Sequence, residues 1–188
     1  MLQQAPRRVR AANARSAYPP IAVASEFHYG GRVNQQLGSP SYRTATLDDL
    51  DTVVRLLAEL VDELGPKDVA KQVKPKLRGD LDNALRSPNV RVFLVEIDGH
   101  VAGLARADVL TQDPIFRLRD DHRCGYIDQM YVRPTYRGRR LGAALLSQCE
   151  TWFRSQGIGH TLLHAAPNAV RFYARQGYLP NREMFKRL

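Results

Sequence analysis

Apolar residues at Leu50, Val53, Val54, Leu57, Leu60, Val61 and Leu64 lie on one face of a helical period, which predicts an amphipathic helix that stops at Gly65-Pro66. Thr46-Leu47-Asp48-Asp49 just ahead has the Thr-x-x-acid spacing in which side chains satisfy backbone amides at a helix start. A weaker helix follows, with Val73, Leu77, Leu81 and Leu85 recurring every fourth residue and Ser87-Pro88 as the stop. Pro75 fits that helix only near a first turn, because proline has no amide hydrogen to donate. Val90 to Ile97 and His100 to Ala107 are apolar runs joined by Asp98-Gly99, the signal of a tight antiparallel hairpin. Residues 111 to 123 are charged and aperiodic and read as a long loop beside the core. Tyr126 to Val132 reads as a strand closed by Arg133-Pro134, after which Leu141, Leu145, Cys149 and Trp152 restore helical spacing up to Gly157. Thr161 to His164 reads as a short strand, Asn168 to Arg175 as a helix, and the C-terminus as a last strand. Two helices, three strands, helix, strand, helix, strand is the order of an α+β or mixed α/β fold, with a strand-helix-strand crossover in its second half.

Residues 1 to 40 do not share this regularity. They carry Pro19-Pro20, Gly30-Gly31 and Ser39-Pro40, and read as a basic, mostly unstructured extension ahead of one domain spanning residues 41 to 188. Such an arginine-rich start resembles an organelle transit peptide, but a solvated tail or a stretch read from a misplaced start codon is the favoured reading. The 188 residues suit one domain plus an arm, and 44% hydrophobic with 25% charged residues is an ordinary globular mix. No apolar run approaches the roughly 18 residues of a membrane helix, which argues against a membrane partner. Cys124 and Cys149 have neither CxxC spacing nor ligand-spaced histidines, so no metal site is expected and a reducing, cytoplasmic setting is the default.

Charge adds a second layer. Lysine and arginine outnumber acids 28 to 19, a net +9 that favours polyanionic partners such as a phosphorylated cofactor or nucleic acid. Val132-Arg-Pro-Thr-Tyr-Arg137-Gly138-Arg139-Arg140-Leu141-Gly142 runs from strand through loop to helix, with glycines and arginines at the helix start. Unpaired amides and the helix dipole make such a start an anion site, and a pyrophosphate is its natural guest. The loop is neither a GxxxxGK phosphate loop nor a GxGxxG dinucleotide loop, and a merely solvated basic face has the same composition.

The residues Tyr131 to Gly142 resemble the acyl-CoA signature of the GCN5-related N-acetyltransferases (GNAT), Arg or Gln, two residues, Gly, one residue, Gly or Ala, matched from Arg137 to Gly142. The sequence departs from it at Arg140, where the family usually has glycine. Arg171-Phe172-Tyr173-Ala-Arg-Gln-Gly177-Tyr178 resembles the family's C-terminal motif, and Leu163 to Pro167 with Pro180 to Met184 resembles small bacterial members. The resemblance covers residues 41 to 188 and implies a mostly antiparallel central sheet flanked by helices, with central strands splayed at the acyl-CoA site. It implies acetyl-CoA as co-substrate and a primary amine of a small molecule or protein as acceptor, joined by direct attack in a ternary complex.

On that resemblance the backbone of Met130, Tyr131 and Val132 pairs with pantetheine, and Arg137, Gly138, Arg139, Arg140, Leu141, Gly142 and Ala143 hold the pyrophosphate. Tyr173 stands at the general-acid position. For the base, Asp128 lies on the strand leading to the cofactor, nominally on the face of Met130 and Val132, and the His164 imidazole at a strand end is the second option; a water chain is the third. Ala166 stands where the family often has asparagine, and Thr161 where protein-directed members often have glutamate. Three alternatives stand beside this reading: a basic nucleic-acid-binding module, motivated by arginines 133, 137, 139, 140, 171 and 175, a tRNA-directed acetyltransferase, and an inactive acyl-CoA sensor. Monomer and homodimer are both open.

Overall fold

The expected helix start is built around Asp49, whose carboxylate accepts from the Thr46 amide and hydroxyl at 2.8 and 3.3 Å. Residues 38–65, 67–111 and 122–180 are described by the structure, a computed structural model. A short 3-10 turn, Leu47–Asp49, leads into α1, Leu50–Leu64, which buries Val53, Leu56, Leu57 and Leu60. Asp49 also takes both terminal nitrogens of Arg43 at 2.7 Å, and this guanidinium pulls its carboxyl down to about 2.

The second helix, α2, is longer than its apolar spacing predicts. It spans Lys67–Arg86 and carries Pro75 in its interior rather than its first turn. Pro75 and Lys71 are both exposed, so solvent is at hand for the carbonyl left without an amide donor one turn back, and the helix continues. Lys74 pairs with Asp62 at 2.6 Å, fastening this stretch to α1.

Five strands form one sheet in the order β1-β2-β3-β4-β5. Their ranges are β1 Ser41–Thr44, β2 Val90–Ile97, β3 His100–Thr111, β4 Arg123–Val132 and β5 Thr161–Leu163. Neighbours are antiparallel except β4 and β5, which are parallel and joined through α3, Leu141–Ser155. The hairpin between β2 and β3 turns at Asp98 and Gly99, with φ of 51° and 76°, the left-handed pair that a tight hairpin turn requires. β1 went unpredicted because four mostly exposed residues show no alternation. A last helix, α4, spans Val170–Arg175. The expected C-terminal strand, most of the 111 to 123 loop and most of the N-terminal arm lie outside the described residues.

The two sheet faces are packed separately. On one, Phe93, Val95, Ala105, Ala107, Ile127 and Met130 meet Leu145, Leu146, Cys149 and Phe153 of α3. On the other, Val92, Leu94, Leu104 and Tyr131 meet the apolar stripes of α1 and α2. Small residues on the α3 side let helix and sheet approach closely: a Cβ on Gly125 would stand 2.6 Å from the Phe153 ring.

Candidate active site

β5 ends level with Ile127, where Leu163 is its partner, whereas β4 runs on to Val132. Beyond Ile127 the pairing of β4 among the described residues is with β3 alone, from Gln129 opposite Arg106 to Val132 opposite Gly103. Its other edge, carrying Met130, Tyr131 and Val132, therefore borders a wedge between β4 and β5. A bulge marks the point of divergence. Gln129 pairs with Arg106 and Ile127 with Ala107, so Asp128 is the extra residue.

The bulge corrects the expected facing of Asp128. Simple alternation puts it with Met130 and Val132, yet Met130 packs on the α3 side while Asp128 lines an open cleft against α1 and α2. One inserted residue reverses the side-chain phase of a strand, and no local pattern announces it.

Beyond β4, a 3-10 turn at Pro134–Tyr136 and two left-handed residues, Gly138 at φ 78° and Arg140 at φ 60°, swing the chain into α3. The bond from the Ala144 amide to the Arg140 carbonyl, 3.1 Å, closes the first turn, so the amides of Leu141, Gly142 and Ala143 have no acceptor within the helix. Arg140 occupies the left-handed position where the signature expects glycine, at a cost of roughly 1–2 kcal/mol for a residue with a Cβ.

The arginines around this loop divide. Arg133 grips Glu59 of α1 at 2.7 and 2.9 Å and donates to the Val101 carbonyl at 2.8 Å. Arg137 donates to the Val132 carbonyl at 2.8 Å and to Glu63 at 2.7 Å. Both tie the end of β4 to α1, because Glu59 and Glu63 stand one helical turn apart opposite them. Arg139 donates to the Gly38 carbonyl at 3.1 Å, while Arg140, Arg171 and Arg175 are exposed.

A strand edge opening beside a neighbour, followed by an amide-rich helix start, is matched by known proteins. Residues 55–178 match the sequence profile of the Acetyltransferase (GNAT) family. The chain belongs to that family. It is 31% identical over 140 residues to an aminoalkylphosphonate N-acetyltransferase of Salmonella typhimurium, covering 72% of this chain and 82% of the relative. Among solved structures, a GCN5-related N-acetyltransferase from Ralstonia eutropha is similar with a TM-score of 0.73 and 27% identity, over 80% of this chain and 99% of that one. An acetyltransferase of Clostridium acetobutylicum, solved with acetyl-CoA, shares the fold with a TM-score of 0.69 and 22% identity, over 80% of this chain and 96% of that one.

In this GNAT domain the remaining candidates sit on opposite sides of the sheet. Tyr173 lies on α4 within the α3-side core, its ring edge-on to Phe172 at 5.0 Å and Tyr178 at 5.7 Å. Burial pushes its phenol well above the ordinary range, so it keeps its proton. Asp128 is on the other side, its carboxyl raised chiefly by burial and pulled back by Arg106 at 3.2 Å. His164 follows β5 directly, with Nδ1 2.6 Å from the Tyr126 hydroxyl.

Sequence reasoning missed the surroundings of Asp128. Arg106 binds Asp108 through Nε at 2.8 Å and Nη2 at 2.6 Å, and the Gln129 side-chain amide donates to Asp128. Asp80 and Asn83 of α2 complete the cleft. Ala105-Arg106-Ala107-Asp108 carried a readable signal: small residues alternating with opposite charges in an otherwise apolar strand mark a face that stays polar.

Proposed function

We propose that this N-acetyltransferase threads acetyl-CoA through the wedge between β4 and β5 and acetylates an amine that enters from the α1 and α2 side. The observation that carries the reading is the mismatch in strand length, with β5 stopping at Leu163 while β4 continues to Val132. An exposed strand edge pairs with an extended amide-bearing chain, and pantetheine is such a chain. The pyrophosphate then falls at the start of α3, on the amides of Gly138 to Ala143. Arg139 and Arg140 supply positive charge nearby, whereas Arg137 contributes by holding β4 to α1.

In the proposed reaction the amine nitrogen attacks the thioester carbonyl carbon, and a backbone amide of Met130 to Val132 steadies the developing oxyanion. The C–S bond breaks as the C–N bond forms. Asp128 takes the proton shed by the amine, a role suited to a carboxylate whose basicity burial has increased. Tyr173 gives its proton to the departing thiolate from the opposite side of the sheet.

Calorimetric titration of acetyl-CoA into the full chain, with ATP as control, tests the cofactor half. Micromolar binding of acetyl-CoA and far weaker binding of ATP is expected. Equal affinity for both would reduce the site to a phosphate cradle and remove the pantetheine edge from the proposal.

A further inference from the structure

The chain carries +9 overall, yet the cleft beneath Asp128 is anionic. About 400 Å³ in volume, it is bounded by Leu57 of α1, Leu77, Asp80, Leu81 and Asn83 of α2, Arg106 of β3, and Asp128 with Gln129 of β4. Arg106 is the sole cation among the described residues of that lining, and its three side-chain nitrogens are directed at Asp108 and Asp128. An anionic substituent on the acceptor would have to displace one of those carboxylates. What the cleft offers is acceptors. Asp80 is exposed and takes no part in the ion pairs of α2 among the described residues, which are Lys74 with Asp62, Arg78 with Asp51 and Arg86 with Asp82. The side-chain oxygen of Gln129 is shut off from solvent without a hydrogen-bond partner, an arrangement that a bound donor would relieve.

The rest of the lining narrows the class. Leu57, Leu77 and Leu81 form an apolar wall, against which methylenes are at no disadvantage while sugar hydroxyls would lose water without gaining partners. From this lining we propose that the acceptor is a linear aliphatic diamine or polyamine, with its reacting amine at Asp128, its methylenes on the leucine wall and a second ammonium at Asp80. The assignment rests on the acetyl-transfer reading above and gives it a substrate class. It sets this chain apart from a relative named for aminoalkylphosphonates, whose acceptor charge would be repelled here.

The test uses the full chain with acetyl-CoA and three acceptors: diaminobutane, butylamine and aminoethylphosphonate. Diaminobutane is expected to exceed butylamine in kcat/KM by about tenfold, as one added charge-assisted contact provides, with aminoethylphosphonate below both. Asp80→Asn should collapse the ratio of diaminobutane to butylamine toward unity. Asp82→Asn, whose carboxylate pairs with Arg86 at 2.9 Å, should leave that ratio unchanged and controls for damage to α2. Preference for aminoethylphosphonate, equal use of diamine and monoamine, or a ratio that survives Asp80→Asn would each overturn the proposal. Acetyl-CoA binding is measured alongside. Its loss would defeat the parent reading, whereas intact binding without acetylation of diaminobutane would defeat the acceptor assignment alone.

Discussion

The two halves of the site are built differently. The proposed cofactor half is nearly continuous in sequence, running from Met130 along β4 and through the left-handed turn into α3. The proposed acceptor half draws Leu57, Asp80, Arg106 and Asp128 from two helices and two strands. In the proposed cofactor half, continuity leaves the contact with the cofactor to backbone atoms, so a side chain such as Arg140 can stand at a signature position. Assembly means that side chains do the selecting in the second half. A shared cofactor and a divergent acceptor are what such a division permits.

Asp128→Asn gives the sharpest separation. It should lower kcat/KM for the amine by about 10³-fold, within the range of general-base losses, while the Kd for acetyl-CoA stays put. A parallel fall in cofactor affinity would break the division between the halves. Tyr173→Phe comes next, with kcat reduced about 10²-fold and both substrates still bound, read by steady-state rates beside calorimetry. Because burial holds the phenol protonated, the lost activity should not return at lower pH.

Gly138→Ala probes the other half. At φ 78° a Cβ is strained, and an acetyl-CoA Kd raised about tenfold with an unchanged KM for the amine is expected. The smallest effect belongs to the element both halves share, α1, which presents Glu59 and Glu63 to the cofactor loop and Leu57 to the acceptor cleft. The Asp49 carboxyl at its start is held down to about 2 in the folded chain against an ordinary 3.8. A depressed carboxyl stabilises above its unfolded value, and that contribution disappears as pH falls through about 2. Asp49→Asn should therefore cost about 1 kcal/mol at neutral pH, less than the full shift because solvent screens the exposed Arg43, and nothing at the acid limit. Chemical denaturation at several pH values measures it, and a cost independent of pH would assign the effect to packing.

The sequence by itself determined most of the features that depend on a short stretch of chain, β1 excepted. Helical periodicity marked α1 and α3, Asp98-Gly99 marked the hairpin, and the glycines and arginines from Arg137 marked the helix start. Tyr173 was found through a motif that places it on a short helix. These are legible because backbone conformation and burial period are encoded within a few residues. Helix α2 was readable only in its second half, since Pro75 masks a helix that solvent exposure lets continue.

Tertiary structure alone decided where side chains meet. Arg133 and Arg137 pair with glutamates 74 residues away, a contact that no local pattern announces. The face that Asp128 presents depends on one unpaired residue in the register of β3 and β4, which exists only once the strands pair. The acceptor cleft has no segment of sequence to itself. Its charge arises where α2 crosses the polar end of the sheet, and long-range packing, rather than local propensity, sets that crossing.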